Sequence, residues 1–197
     1  MHYTNSKGTN LHITLPENHI WVGAGNTPNM LVNMPSYEIF TSPDYRYTEG
    51  IVYSAKPLIY NGALLDDFSV TFKEGKAVSC NAQKGQKVLE GIINSDNNSC
   101  FLGEVSLINH NSPISNTGLI FGTTLFDENA SCHLALGDSF PECIENGLSK
   151  SKKELLSLGL NDSKTHVDFM VGTNDLNIIA ETDKGNIQIF KNGNFNI

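Results

Sequence analysis

The side chains best suited to chemistry are carboxylates and imidazoles at short, repeated spacings. The stretch Asp127-Glu128-Asn129-Ala130-Ser131-Cys132-His133-Leu134-Ala135-Leu136-Gly137 sets Glu128 and His133 five residues apart. Downstream, His166-Val167-Asp168 sets an imidazole and a carboxylate two apart. Upstream, Glu104 interrupts the apolar run Phe101 to Ile108, and Glu38 lies in Pro35-Ser36-Tyr37-Glu38-Ile39-Phe40. A donor set rich in carboxylate and poor in thiolate suits two divalent ions better than one structural zinc. Two such ions about 3.5–4 Å apart clamp the oxygens of a tetrahedral intermediate and make hydroxide from bound water. The residues alone therefore point to a dinuclear metallohydrolase.

Each residue also has a plainer reading. An isolated His-x-Asp is commonly the solvated face of an edge strand. His133 alone reads as a satisfied buried histidine, and Glu128 as a capping carboxylate. Glu104 faces water if its strand is one-sided; if buried, it needs a partner or a metal. Glu38 has no support beyond its loop. Cys132, His166 and Asp168 could be cast as a cysteine hydrolase, although a thiol among small residues at a helix start is more often structural.

The elements that must position these groups read as mixed α+β, mainly antiparallel sheet with a few helices. Leu11, Ile13 and Leu15 alternate with polar residues, the period of a half-buried strand. Ile20 to Val22 reads as a second short strand closed by a turn at Gly23-Ala24-Gly25-Asn26, and Pro28 to Pro43 as an irregular loop that carries Glu38. Gly50 to Cys80 holds several strands separated by turns at Pro57, Asn61-Gly62 and Glu74-Gly75. Gln83 to Asn94 predicts a helix with Val88, Leu89, Ile92 and Ile93 on one face. Leu119 to Leu125 reads as strand, followed by a helix to about Gly137. On a regular helix five residues turn about 500°, so Glu128 and His133 would diverge. Glu128 is therefore expected before the helix and His133 in its first turns, with Asp127 or Asn129 as N-cap. Leu148 to Leu160 reads as a surface helix or insertion. Val167 to Val171, Leu176 to Ala180 and Ile187 to Phe190 complete the strands. His166 and Asp168 then share one strand face.

The chain has 197 residues, enough for one domain with a real core, and a net charge of −8. That sign disfavours nucleic acid and anionic membrane as partners. Four cysteines without CxxC spacing indicate no disulfide framework. No apolar leader and no run of about 20 apolar residues is visible, so a cytoplasmic protein is expected.

The stretch Leu125 to Gly137 resembles the signature of the aminopeptidase T family, which includes aminopeptidase S. Asn33-Met34-Pro35-Ser36-Tyr37-Glu38-Ile39-Phe40-Thr41-Ser42-Pro43, Leu102-Gly103-Glu104-Val105, Ser112-Pro113-Ile114 and His166-Val167-Asp168-Phe169-Met170 resemble family motifs in the family's order. The resemblance implies a dinuclear-metal aminopeptidase that removes N-terminal residues from short peptides with a free N-terminus. The implied metal ligands are Glu38, Glu104, Glu128, His133, His166 and Asp168. Glu38 and Glu104 are also the implied catalytic carboxylates, with Glu104 bridging two divalent ions of zinc, cobalt or manganese. A homodimer is implied as well. Two departures stand out. The family's Tyr near the site is Phe140 here, in Ser139-Phe140-Pro141, which removes a proton donor or oxyanion partner. The resemblance also covers only the family's catalytic half, so residues 1–197 are expected to be a single metallopeptidase catalytic domain without the family's preceding N-terminal domain. The alternative expectation is a catalytically impaired relic or assembly module of the same family.

Overall fold

The protein is described by a computed structural model covering residues 1–23 and 37–196. The turn expected at Gly23 to Asn26 and the motif residues Asn33 to Ser36 fall wholly or mostly outside the described residues. In chain order the strands and helices are β1 (His2–Thr4), β2 (Asn10–Ile13), β3 (Val22–Gly23), β4 (Ile39–Thr41), β5 (Thr48–Tyr53), β6 (Leu58–Tyr60), β7 (Ala63–Lys73), β8 (Lys76–Lys84) and α1 (Gln86–Ile93). They continue with β9 (Leu102–Leu107), α2 (Pro113–Asn116), α3 (Thr124–Asp127), β10 (His133–Gly137), α4 (Lys152–Ser157), β11 (His166–Met170), β12 (Asn177–Thr182), β13 (Gly185–Lys191) and β14 (Asn194–Phe195).

Two sheets carry the fold, and the strand pairs between named strands are antiparallel. The larger runs β14-β13-β12-β1-β2-β5-β7-β6, with β8 also on β7; the smaller runs β11-β10-β9-β4-β3. One apolar core joins them. Leu11, Val70 and Ile178 from the larger sheet pack in the same cluster as Val105, Leu134 and Phe169 from the smaller. Helix α1 closes the core with Leu89, Ile92 and Ile93 buried, as its periodicity requires. It begins at Gln86 rather than Gln83, because β8 continues through Lys84.

Several expectations change. Leu119 to Leu125 is not a strand: residues 119–123 are irregular and α3 starts at Thr124. The helix expected to reach Gly137 ends far earlier. After α3 a short 3-10 turn covers Glu128–Ala130, and His133–Gly137 is an interior strand of the smaller sheet, between β11 and β9. Asp127 precedes the 3-10 turn at Glu128 but its side chain does not cap it; its carboxylate accepts from the Phe121 and Gly122 amides at 2.7 and 2.9 Å, and Thr123 is the N-cap of α3. Part of the Pro28 to Pro43 segment is also regular, since Ile39–Thr41 forms β4 against β9. Within Leu148 to Leu160, the helix is the short α4, closed at its start by a reciprocal capping box between Ser151 and Glu154.

Candidate metal centre

One face of the smaller sheet is core and the other is the site. Glu104 on β9 and Asp168 on β11 both pair with Ala135 on β10, and His166 pairs with Gly137. Alternate residues of a strand share a face. Val105, Leu107, Leu134, Leu136, Val167 and Phe169 therefore enter the core. Glu104, Ser106, His133, Ala135, His166 and Asp168 occupy the opposite face. Glu38 joins them from the residue before β4, two positions from Phe40, which pairs with Ser106. Ala135 and Gly137 keep the middle of this face low, so that Glu104 and the β11 side chains meet above β10.

Close backbone approach maintains this geometry. Between Ala135 and Leu136 the β9–β10 register shifts. At this bulge a Cβ on Gly103 would meet Asp138 O at 2.0 Å, and one on Gly137, at φ +112°, would meet Thr165 O at 1.9 Å. Only glycine fits either position.

All six carboxylates and imidazoles singled out in the sequence line one cavity of about 210 Å³, together with Phe40, Leu125, Phe140 and Glu142. His133 Nε2 lies 3.2 Å from Glu38 Oε2 and 3.8 Å from Glu104 Oε1. His166 Nε2 lies 3.0 Å from Glu104 Oε2 and 3.2 Å from Asp168 Oδ1. Ser106 Oγ donates to Glu38 Oε2 at 2.9 Å. Three donor groups, each with its ligand atoms within 4.8 Å of one another, overlap here: Glu38, Glu104 and His133; Glu104, His166 and Asp168; Glu128, His133 and Asp168.

The donor set fits divalent cations. His133 Nδ1 donates to the carbonyls of Glu128 and Ser131 at 3.0 and 3.2 Å, and His166 Nδ1 to that of Asp138 at 2.9 Å. A carbonyl can only accept, so each Nδ1 carries a proton and each Nε2 is the atom aimed into the cleft. That outer-shell arrangement fixes an imidazole for ligation. Five carboxylates lining one small cleft, three of them buried, are costly without cationic partners.

Electrostatics in the chain itself show the same tension. Burial would raise the Glu104 carboxyl, but hydrogen bonds and charge from His133 and His166 outweigh it and hold the group below its ordinary value. Burial would lower both imidazoles. Glu104 and Glu38 overcome it at His133, and Asp168 and Glu104 lift His166 to about 11. Glu128 is pushed up to about 8 by burial first and then by Asp168.

The expected divergence of Glu128 and His133 is resolved by the chain leaving the helix between them. Glu128 reaches the cleft from the 3-10 turn that follows α3, and His133 from the first residue of β10. Glu104, which could have faced water, is buried. Cys132 points the other way, into the core, where its thiol meets Ile108 O at 3.3 Å and is pushed up to about 12 by burial. The cysteine-hydrolase reading is thereby removed. Sequence reading missed Ser106, although its place two residues after Glu104 on one strand is the signal that finds it. Glu142 and Leu125 had no such signal. Phe140 packs on His166 with ring centroids 4.8 Å apart and on Phe40 at 5.4 Å.

The family model described as thermophilic metalloprotease (M29) matches residues 1–195. The chain is 44% identical over 200 residues to aminopeptidase AmpS of Bacillus subtilis, covering 99% of this chain and 48% of that one. It is 46% identical over 188 residues to aminopeptidase 2 of Geobacillus stearothermophilus, covering 93% of this chain and 46% of that one. The solved structure of wild-type AmpT from Thermus thermophilus superposes with a TM-score of 0.92 at 34% identity, covering all of this chain and 49% of that one. The chain thus spans about half the length of the curated relatives it matches. With that match running almost end to end, the chain belongs to the thermophilic metalloprotease (M29) family.

Proposed function

We propose that this chain carries the dinuclear metal centre of an aminopeptidase that removes N-terminal residues from short peptides. The observation that carries the reading is Glu104. Its two oxygens address two different imidazoles, and it belongs to two overlapping donor groups. Glu38, Glu104 and His133 would hold one cation, and Glu104, His166 and Asp168 a second, with Glu128 completing the shell beside His133. When bound, a pair of divalent cations of the zinc, cobalt or manganese type supplies Lewis acidity to the scissile carbonyl and lowers the pKa of water. The chain's own part is positional. Backbone carbonyls lock both imidazoles, Ser106 orients Glu38, and Glu38 and Glu104 are the carboxylates assigned to proton movement. Phe40, Leu125 and Phe140 give the cleft apolar walls that limit water.

The relatives' names as aminopeptidases support the exopeptidase assignment. The reading extends to a cytoplasmic homodimer. Exposed Leu119, Ile120, Phe121, Leu125 and Phe126 supply apolar surface for it, and among the described residues no helix is long and apolar enough to cross a membrane. A second reading, an impaired member of the family, is favoured by one observation: the ring against His166 is a phenylalanine and offers no hydroxyl. Release of leucine from a chromogenic amide, measured with added Co²⁺ or Zn²⁺ and then with chelator, separates the two. Chelator-sensitive turnover supports the aminopeptidase. Cation binding without turnover supports the impaired form.

A further inference from the structure

A separate set of metal-competent side chains lies on the larger sheet. His2 on β1 pairs directly with His12 on β2, and on its other side with Ile179 on β12. Glu181 lies two residues beyond Ile179 and so shares that face. The three residues present ligand atoms within 4.8 Å of one another. His12 Nδ1 is 3.4 Å from Glu181 Oε2, and the His2 and His12 rings stack at 3.9 Å with planes 12° apart. Asn10 Oδ1 lies 2.7 Å from His2 Nε2 and steadies that ring from the side.

We propose that His2, His12 and Glu181 form a second, peripheral site for one divalent ion of the zinc class. Two imidazoles and one carboxylate are a donor set for such an ion, and three protein ligands leave positions open. The side chains of His12 and Glu181 are about half exposed, so the His12 ring has room to tilt out of the stack toward a shared ion without disturbing the core. His12 and Glu181 also line a cavity of about 660 Å³ whose walls include Trp21, Leu107, Ile189 and Phe195. The open coordination positions are therefore accessible to an apolar ligand with a donor atom at its end. None of these residues belongs to the cleft around Glu104, and the inference stands whether that cleft holds two ions, one or none.

The test compares tag-free, chelator-stripped wild type with the His2→Gln/His12→Gln double variant after dialysis against micromolar Zn²⁺. Wild type is expected to retain one more zinc per chain than the variant, with equal turnover where turnover is present. Nitrogen-15 spectra of wild type are expected to show the ring signals of His2 and His12 shifting on Zn²⁺ addition. This second reading needs no variant. Equal zinc content, or ring signals of His2 and His12 that do not move, overturns the site.

Discussion

Glu104 Oε2 lies 3.0 Å from His166 Nε2, a contact made over the small side chains of the strand between them. The other Glu104 oxygen is 3.8 Å from His133, so one carboxylate addresses both imidazoles. Glu104→Gln keeps the shape and removes the charge. Chelator-sensitive turnover is expected to fall on the order of 100-fold or more, the loss seen even for outer-shell partners being 10–100-fold. Thermal melts with and without Zn²⁺ provide the control. Wild type gains Tm on metal addition, and the variant loses most of that gain.

Ala135 sits between Glu104 and Asp168, and its methyl group is the floor of the cleft. Ala135→Leu fills the space above this floor, where the proposed cations and substrate would sit. Overpacking of this kind costs about 1–3 kcal/mol. The far-UV circular dichroism spectrum is expected to persist while metal-dependent stabilisation and turnover vanish. Retained turnover in Ala135→Leu would place the reacting groups elsewhere.

Phe140 supports His166 through ring contact alone. Phe140→Ala is expected to cost about 2 kcal/mol, less than a fully buried ring because Phe140 is only half-buried. Phe140→Tyr adds a hydroxyl beside the cleft as a donor to developing negative charge. Its kcat is expected to rise several-fold with little change in KM. Denaturant titration and steady-state kinetics read the two variants.

Asp175 ties the turn after β1 to the loop before β12. Its carboxylate accepts from Ser6 N at 2.8 Å and from Thr173 Oγ1 at 2.6 Å. Hydrogen bonds from Ser6 and Thr173 lower its pKa to about 2. A carboxylate depressed in the folded state stabilises above its unfolded value near 3.9 and loses that contribution as pH falls toward its folded value. Stability of wild type is therefore expected to drop between pH 4 and about 2. Asp175→Asn is expected to be less stable at neutral pH and to show a flatter acid limb in urea titrations across that window.

The candidate ligands were legible in the sequence, but not the strand that carries one of them. His166-Val167-Asp168 declares its strand because polar and β-branched residues alternate. His133-Leu134-Ala135-Leu136-Gly137 hides the same alternation, since its site-facing positions after His133 are alanine and glycine, residues that look apolar and fit a helix. The smallness that misleads the periodicity is what opens the cleft. Asp127 was likewise legible as a capping group but not as the cap of a loop at Phe121 and Gly122. Nothing local in Glu38 announces its partners. Its place depends on β4 pairing with β9 over a separation of more than sixty residues, and such pairing is set by the packed sheet as a whole.

Anomalous diffraction from crystals grown with Zn²⁺ locates ions one by one and so reads the dinuclear assignment without an activity assay. A dinuclear centre gives two peaks about 3.5–4 Å apart in the cleft, one beside Glu38 and His133 and the other beside His166 and Asp168, with Glu104 between them. A single peak there, or none, contradicts it.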